Sequence, residues 1–179
     1  MSEEKTIKKL SIFKIIIPVL ILVVVIGIWS VKNLNGKNTD NTTDNADFNL
    51  AATEKLDLEK LKAYNIPILI EFGSEACRPC QEMKPIIEAL NKELKGKAII
   101  KYVDVWANPE FGEDYPLTLI PTQLFINSDG TPYNPENPEA LNMNLYSMKD
   151  SGEHVYTTHE GTISKETLLD ILTEMGMKE

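Results

Sequence analysis

The sequence predicts an α/β domain, a central sheet flanked by helices, behind an apolar N-terminal segment. Three observations carry that reading of the domain. Ile66–Phe72 is an almost unbroken apolar run, the pattern of a short strand buried on both faces. A helical pattern follows closely, with Met83, Ile86, Ile87, Leu90 and Leu94 at helical spacing and Gly96 as the stop. A second apolar run, Ala98–Val105, comes next, and strand, helix, strand in this order implies a right-handed parallel crossover.

Charge divides the chain. Residues 1–37 carry six lysines against two glutamates, while the whole chain has a net charge of −9, which leaves −13 on the rest. A folded part this acidic repels phosphates, so nucleic acid is not an expected partner. Ile15–Trp29 holds no charged residue. With Ile12, Phe13, Ser30 and Val31 it reaches the ~17–20 residues at the low end of what spans a bilayer. Lys5, Lys8, Lys9 and Lys14 lie before its apolar core, and only Lys32 and Lys37 follow closely. The positive-inside rule then puts residues 1–11 in the cytoplasm, 12–31 across the lipid bilayer as a signal-anchor, and the remainder outside. Pro18 is tolerated near the start of such a helix. A cleaved signal peptide is the competing reading. Ile28-Trp29-Ser30-Val31 is too bulky for a small-x-small site, which favours an uncleaved, single-pass anchor in the cell membrane. Residues 32–49 are rich in Asn, Thr, Asp and Gly and read as a flexible linker, with the domain at 50–179.

Within the domain, Asp57 or Thr53 caps a first helix whose inner face is Leu58, Leu61 and Tyr64, ending before Pro67. After the central strand, Pro79 occupies the first turn of a helix predicted over Pro79–Lys95. Asn108-Pro109-Glu110 opens a short helix to about Tyr115. Thr122–Asn127 is a third strand, closed by the turn residues Ser128-Asp129-Gly130. Thr131 to about Asn144, with Pro132, Pro135 and Pro138, is polar enough to be a surface excursion. Lys149–Gly152 reads as a turn and His154–Thr158 as a strand. Ser164 caps the last helix, which carries a staple of Ile163 on Leu168, an inner face with Leu172 and Met175, and a stop at Gly176.

Chemistry concentrates at Cys77 and Cys80, the only cysteines in the chain, two residues apart where the strand hands over to the helix. Two cysteines inside one motif leave no structural disulfide framework. A helix N-terminus presents unpaired N–H groups and a dipole that favour a thiolate, lowering thiol pKa values to ~3.5–7.5. A zinc half-site is the competing reading, since His154 and His159 extend the pattern to C-x-x-C…H-x-x-x-x-H. The gap of over seventy residues is far from finger spacing, and strand residues five apart face opposite sides, so no metal is predicted and both histidines are expected at the surface. Glu71 shares a strand face with Leu69 inside the apolar run, so it is expected to be buried with a raised pKa. The alternative is an acid at a strand end that reaches solvent.

Strand, Cys77-Arg78-Pro79-Cys80, a helix with Pro85 eight residues after Cys77, and a later Ile120-Pro121-Thr122 resemble the thioredoxin superfamily. With the apolar N-terminus, the chain is similar to the membrane-anchored, extracytoplasmic thioredoxin-like proteins of bacteria. The likeness covers roughly Thr53 to Met175. It implies a thioredoxin-like fold, a central mixed sheet flanked by helices, with an insertion at about 131–153 before the last strand. It also implies a redox-active Cys77–Cys80 disulfide and no other cofactor. On that pattern Cys77 is the nucleophile, Arg78 adds positive charge beside it, Pro79 rigidifies the loop and Cys80 resolves the mixed disulfide. Glu71 stands where thioredoxins carry a buried acid and relays a proton to or from Cys80. Pro121 matches the cis-proline that lies against the disulfide, and the Ile120 backbone pairs with an extended substrate. Gly73 and Ala76 depart from the pattern, standing where thioredoxins usually carry tryptophans, which opens the surface around Cys77.

The implied function is an extracytoplasmic thiol–disulfide oxidoreductase. It reduces protein disulfide substrates and is re-reduced by a membrane-embedded electron donor of the cytochrome c biogenesis type. A disulfide-introducing oxidase or isomerase, and a non-enzymatic redox-sensing or binding module, are the alternatives.

Overall fold

The computed structural model describes residues 45–178. The expected anchor at 12–31 and most of the expected linker lie outside the described residues. Among the described residues, no helix is long and apolar enough to cross a membrane.

Five strands form one mixed sheet: β1 (Ile68–Gly73), β2 (Ile99–Asp104), β3 (Thr122–Ile126), β4 (Met143–Ser147) and β5 (His154–Glu160), in the order β2-β1-β3-β5-β4. The pair β1 and β2 is parallel, as the crossover argument requires, and the other three pairings are antiparallel. The helices are α1 (Leu58–Lys62), α2 (Arg78–Glu93) and α3 (Lys165–Glu174). Side-chain alternation sends successive residues of β1 to opposite cores. Leu69 packs with Ile100 and Phe125 against Met83, Ile87 and Leu90 of α2 and Leu168, Ile171 and Leu172 of α3. Ile68, Ile70 and Phe72 pack with Leu124 and Val103 against Phe48, Leu61 and Tyr115. Burial on both faces is why β1 reads as one continuous apolar run.

Local signals set the helix ends. Asp57 is the cap of α1, its Oδ1 accepting from Lys60 N at 3.1 Å. Ser164 caps α3, its Oγ accepting from Thr167 N at 3.1 Å, and Gly176 follows the helix at φ +96°. Pro79 falls in the first turn of α2, where its missing N–H costs nothing. Pro85 lies inside the same helix and removes one intrahelical bond.

Three stretches differ from expectation. The helix foreseen from Asn108 to Tyr115 shrinks to a 3-10 turn at Pro109–Phe111. Gly112 is a poor helix interior, and a Cβ there would sit 3.0 Å from both Leu117 Cδ1 and Val105 Cγ1, so the backbone must bend close to them. The polar excursion is partly core. Tyr133 and Met143 are buried, Tyr133 N donates to Phe125 O at 3.2 Å, and β4 pairs with β5 as the sheet edge. The described residues also begin inside the stretch read as linker. Ala46–Phe48 form a 3-10 turn with Phe48 buried, and Lys101 Nζ donates to Ala46 O at 3.0 Å and Asn49 O at 2.8 Å. A buried ammonium needs such acceptors, and these carbonyls satisfy it.

Candidate functional site

The C-terminal end of β1 and the first turn of α2 build the site. After Gly73 the chain turns, Ser74 Oγ accepting from Ala76 N at 3.2 Å and Ser74 O from Cys77 N at 3.2 Å. Cys77 is the N-cap of α2, and its Sγ accepts from Cys80 N at 3.4 Å. Cys77 and Cys80 are joined as a disulfide, with Cα atoms 5.2 Å apart. Cys77 is 8% exposed against 2% for Cys80, so an incoming group meets Cys77 first. Arg78 and Pro79 are both exposed beside it. Glu75 is drawn to Lys84, with 2.7 Å between Oε1 and Nζ, an exposed pair of little energetic weight.

From the opposite side comes the start of β3. The Ile120–Pro121 peptide is cis, and Ile120 O lies 3.8 Å from Cys77 Sγ. Trp106, Leu117, Thr118, Leu119 and Ile120 line a shallow hollow next to this backbone, with Trp106 60% exposed and Leu119 48% exposed. These two escaped the sequence reading. Trp106, a tryptophan in the turn that follows the second apolar run, was the available signal.

Glu71 sits on the α2 side of the sheet with 1% of its surface exposed. Its Oε2 accepts from Gln123 Nε2 at 2.8 Å, and its Oε1 has no partner. Burial pushes its carboxyl up to about 8, against the smaller opposing effect of the Gln123 hydrogen bond. Tyr102 is its register neighbour on β2. A Cβ on Gly73 would meet Tyr102 Cε2 at 3.0 Å and Cys80 Cβ at 3.4 Å. A residue without a side chain is therefore what lets the ring and Cys80 close over this end of β1. Burial also raises the Tyr102 hydroxyl above its ordinary range.

The histidines require a correction. His159 is 7% exposed, because β4 pairs alongside it, and its Nδ1 lies 2.6 Å from Gln123 Oε1. Burial pulls its pKa down, partly offset by Glu160. His154 is half-buried, its Nε2 placed 3.1 Å from Tyr156 O and 2.8 Å from Thr157 Oγ1. Among the described residues, no group of three or more His, Cys, Asp and Glu side chains could hold a metal ion. Gln123 was missed in the sequence, although its alternation with Phe125 places it on the covered face.

A family model for thioredoxin matches residues 50–146. The thioredoxin of Rickettsia felis is 38% identical over 66 residues, covering 36% of this chain and 63% of the relative, less than two thirds of its length. The thioredoxin of Rickettsia bellii is 35% identical over 78 residues, covering 43% of this chain and 74% of the relative. Among solved structures, a mutant thioredoxin from Halobacterium salinarum is similar at 20% identity and a TM-score of 0.49, covering 73% of this chain and 92% of that one. The family match takes in β1, α2, β2 and β3 together with both cysteines and Pro121, more than half of the sequence, and the chain belongs to the thioredoxin family.

Proposed function

We propose that this protein is a thiol–disulfide oxidoreductase that reduces protein disulfides by dithiol exchange through Cys77 and Cys80. The observation that carries the reading is the seat of the pair: Cys77 Sγ caps a 16-residue helix and already accepts the Cys80 N–H. In the dithiol form that donor and the helix dipole stabilise a Cys77 thiolate. The thiolate attacks one sulfur of a client disulfide. A Cys77–client bond forms, the client S–S bond breaks, and one client sulfur leaves as thiolate. Cys80 then gives its proton to the Glu71 carboxylate, directly or through water, and attacks Cys77 Sγ. The mixed disulfide breaks, the second client sulfur leaves, and the Cys77–Cys80 bond forms. The client gains two electrons and the pair loses two. A carboxyl titrating near 8 is matched to accepting and returning a proton around neutral pH. The Ile120 backbone, next to Cys77 Sγ, offers an extended client segment a strand-like partner.

The lysine bias around residues 12–31 supports a single-pass anchor with the domain outside the cell membrane. A reductase there has no soluble donor to regenerate it, so a membrane-embedded thiol carrier of the cytochrome c biogenesis type supplies its electrons.

Three measurements test these readings. The Cys77–Cys80 potential is expected near ~−270 mV, and a value near ~−120 mV reverses the direction to oxidation. Insulin reduction with dithiothreitol is expected to vanish in Cys77→Ser, and an unchanged rate overturns exchange itself. Protease added to intact spheroplasts is expected to digest the domain; full protection overturns the topology.

A further inference from the structure

One polar row crosses the sheet face that α2 covers. The backbone register sets Tyr102 of β2, Glu71 of β1, Gln123 of β3, His159 of β5 and Met143 of β4 side by side. The three in the middle are joined: His159 Nδ1 to Gln123 Oε1 at 2.6 Å, then Gln123 Nε2 to Glu71 Oε2 at 2.8 Å. All three are more than nine-tenths buried, so each lost contact would leave a polar atom without water.

The direction of the chain follows from its acceptors. Gln123 Nε2 also reaches Gly161 O at 3.1 Å, and a backbone carbonyl only accepts, so the amide nitrogen must occupy that end. Gln123 Oε1 therefore faces His159, and the neutral imidazole must carry its proton on Nδ1 to donate there. We infer that Gln123 and His159 are positioning residues for Glu71: the Nδ1–H of His159 holds the Gln123 amide with an N–H aimed at the buried carboxylate. That donor keeps the buried Glu71 ionisable. Without the imidazole, Gln123 Oε1 is stranded and only the Gly161 carbonyl still holds the amide, so its N–H is less firmly kept on the carboxylate and the protonated acid gains.

The groups beside Glu71 are Tyr102 from β2 and Gln123 from β3, while Cys80 of α2 stands against Gly73, two residues further along the same strand. Gln123 faces His159, Met143 from β4 supplies apolar cover, and Glu160, next along β5 and on its other face, acts only through its charge. Desolvation accordingly favours the neutral imidazole that the chain of bonds requires.

This inference rests on the proton-relay reading of Glu71, and its test reads the carboxyl directly. The experiment follows the Glu71 side-chain carbon by NMR in the oxidised, 13C-labelled protein, with the signal assigned by its loss in Glu71→Gln. His159→Leu is expected to raise the Glu71 midpoint by about one pH unit. His159→Asn keeps a donor near the Nδ1 position and is expected to restore it. In a Gln123→Leu background, His159→Leu is expected to add no further shift. Gln123→Met offers a second route to the same carboxyl, again raising the midpoint by about one pH unit. An unmoved midpoint in His159→Leu or Gln123→Met overturns the inference. So does an equal shift in the Leu and Asn variants, or a shift that persists without Gln123. If instead Glu71→Gln leaves the pH profile of insulin reduction unchanged, the relay reading fails while the coupling stands.

Discussion

Glu71 makes stability depend on pH in a way its burial specifies. Burial raises its carboxyl from 4.5 to about 8. Between those values the native state holds a proton that the unfolded chain has released, so stability falls as pH rises. One such proton corresponds to about 1.4 kcal/mol per pH unit. Across the whole window the loss is about 5 kcal/mol, comparable to the entire stability of a marginal domain. His159 works in the other direction. Burial holds it below 6.5, so its contribution is complete above that pH and is lost as the medium becomes more acidic. The interval from 6.5 to 8 therefore isolates Glu71. Urea unfolding of the oxidised protein across it is expected to show wild type losing about 2 kcal/mol more than Glu71→Gln. The amide has its own cost but does not titrate, so the comparison is between slopes. Parallel slopes would mean that the carboxylate is solvated in the folded state, and would refute the argument from burial.

Cys80→Ser is expected to accumulate mixed disulfides through Cys77 in growing cells, visible as adducts that dithiothreitol releases; their absence under oxidising and reducing growth alike would contradict exchange. Gly73→Ala places a methyl 3.0 Å from the Tyr102 ring and is expected to cost about 1–3 kcal/mol in urea unfolding. Lys101→Met removes the two bonds that hold the backbone at Ala46 and Asn49, and amide hydrogen exchange of residues 46–49 is expected to rise while that of β1 stays unchanged. Tyr133→Ala empties a buried aromatic site beside Phe125 and is expected to cost about 3 kcal/mol or more; a neutral result would make the excursion mere decoration.

The sequence was most legible where one local rule acted alone. The run before Cys77 became β1, the periodic stretch after it became α2, and Ser164 and Gly176 bounded α3. Glu71 was placed correctly because strand parity with Leu69 needs no tertiary information. Partners were not legible in the same way. That Gln123 meets both Glu71 and His159 depends on the register of three strands, and register is fixed by the assembled sheet. The excursion misled because its composition is polar on average while its burial is carried by a few residues. Tyr133 and Met143 reach the core from among mostly exposed residues, and averaging over the segment hides them.

The edge strand β4 has a consequence for the site that composition alone would not suggest. Without β4, β5 would form the sheet edge, and His159 would lie at an open rim. An imidazole there would be hydrated, would titrate in its ordinary range, and would have no reason to keep its Nδ1 proton on Gln123. With β4 in place, Met143 stands in register beside His159 and the open edge moves one strand outward. That new edge is short, five residues, and a register shift at Tyr146–Ser147 breaks its pairing surface, both of which discourage further strand addition. The cost of β4 and the turn after it is exposed apolar surface at Leu145 and Met148. What it supplies is dryness around one imidazole. Through one amide, that dryness secures the hydrogen bond that points at the buried acid.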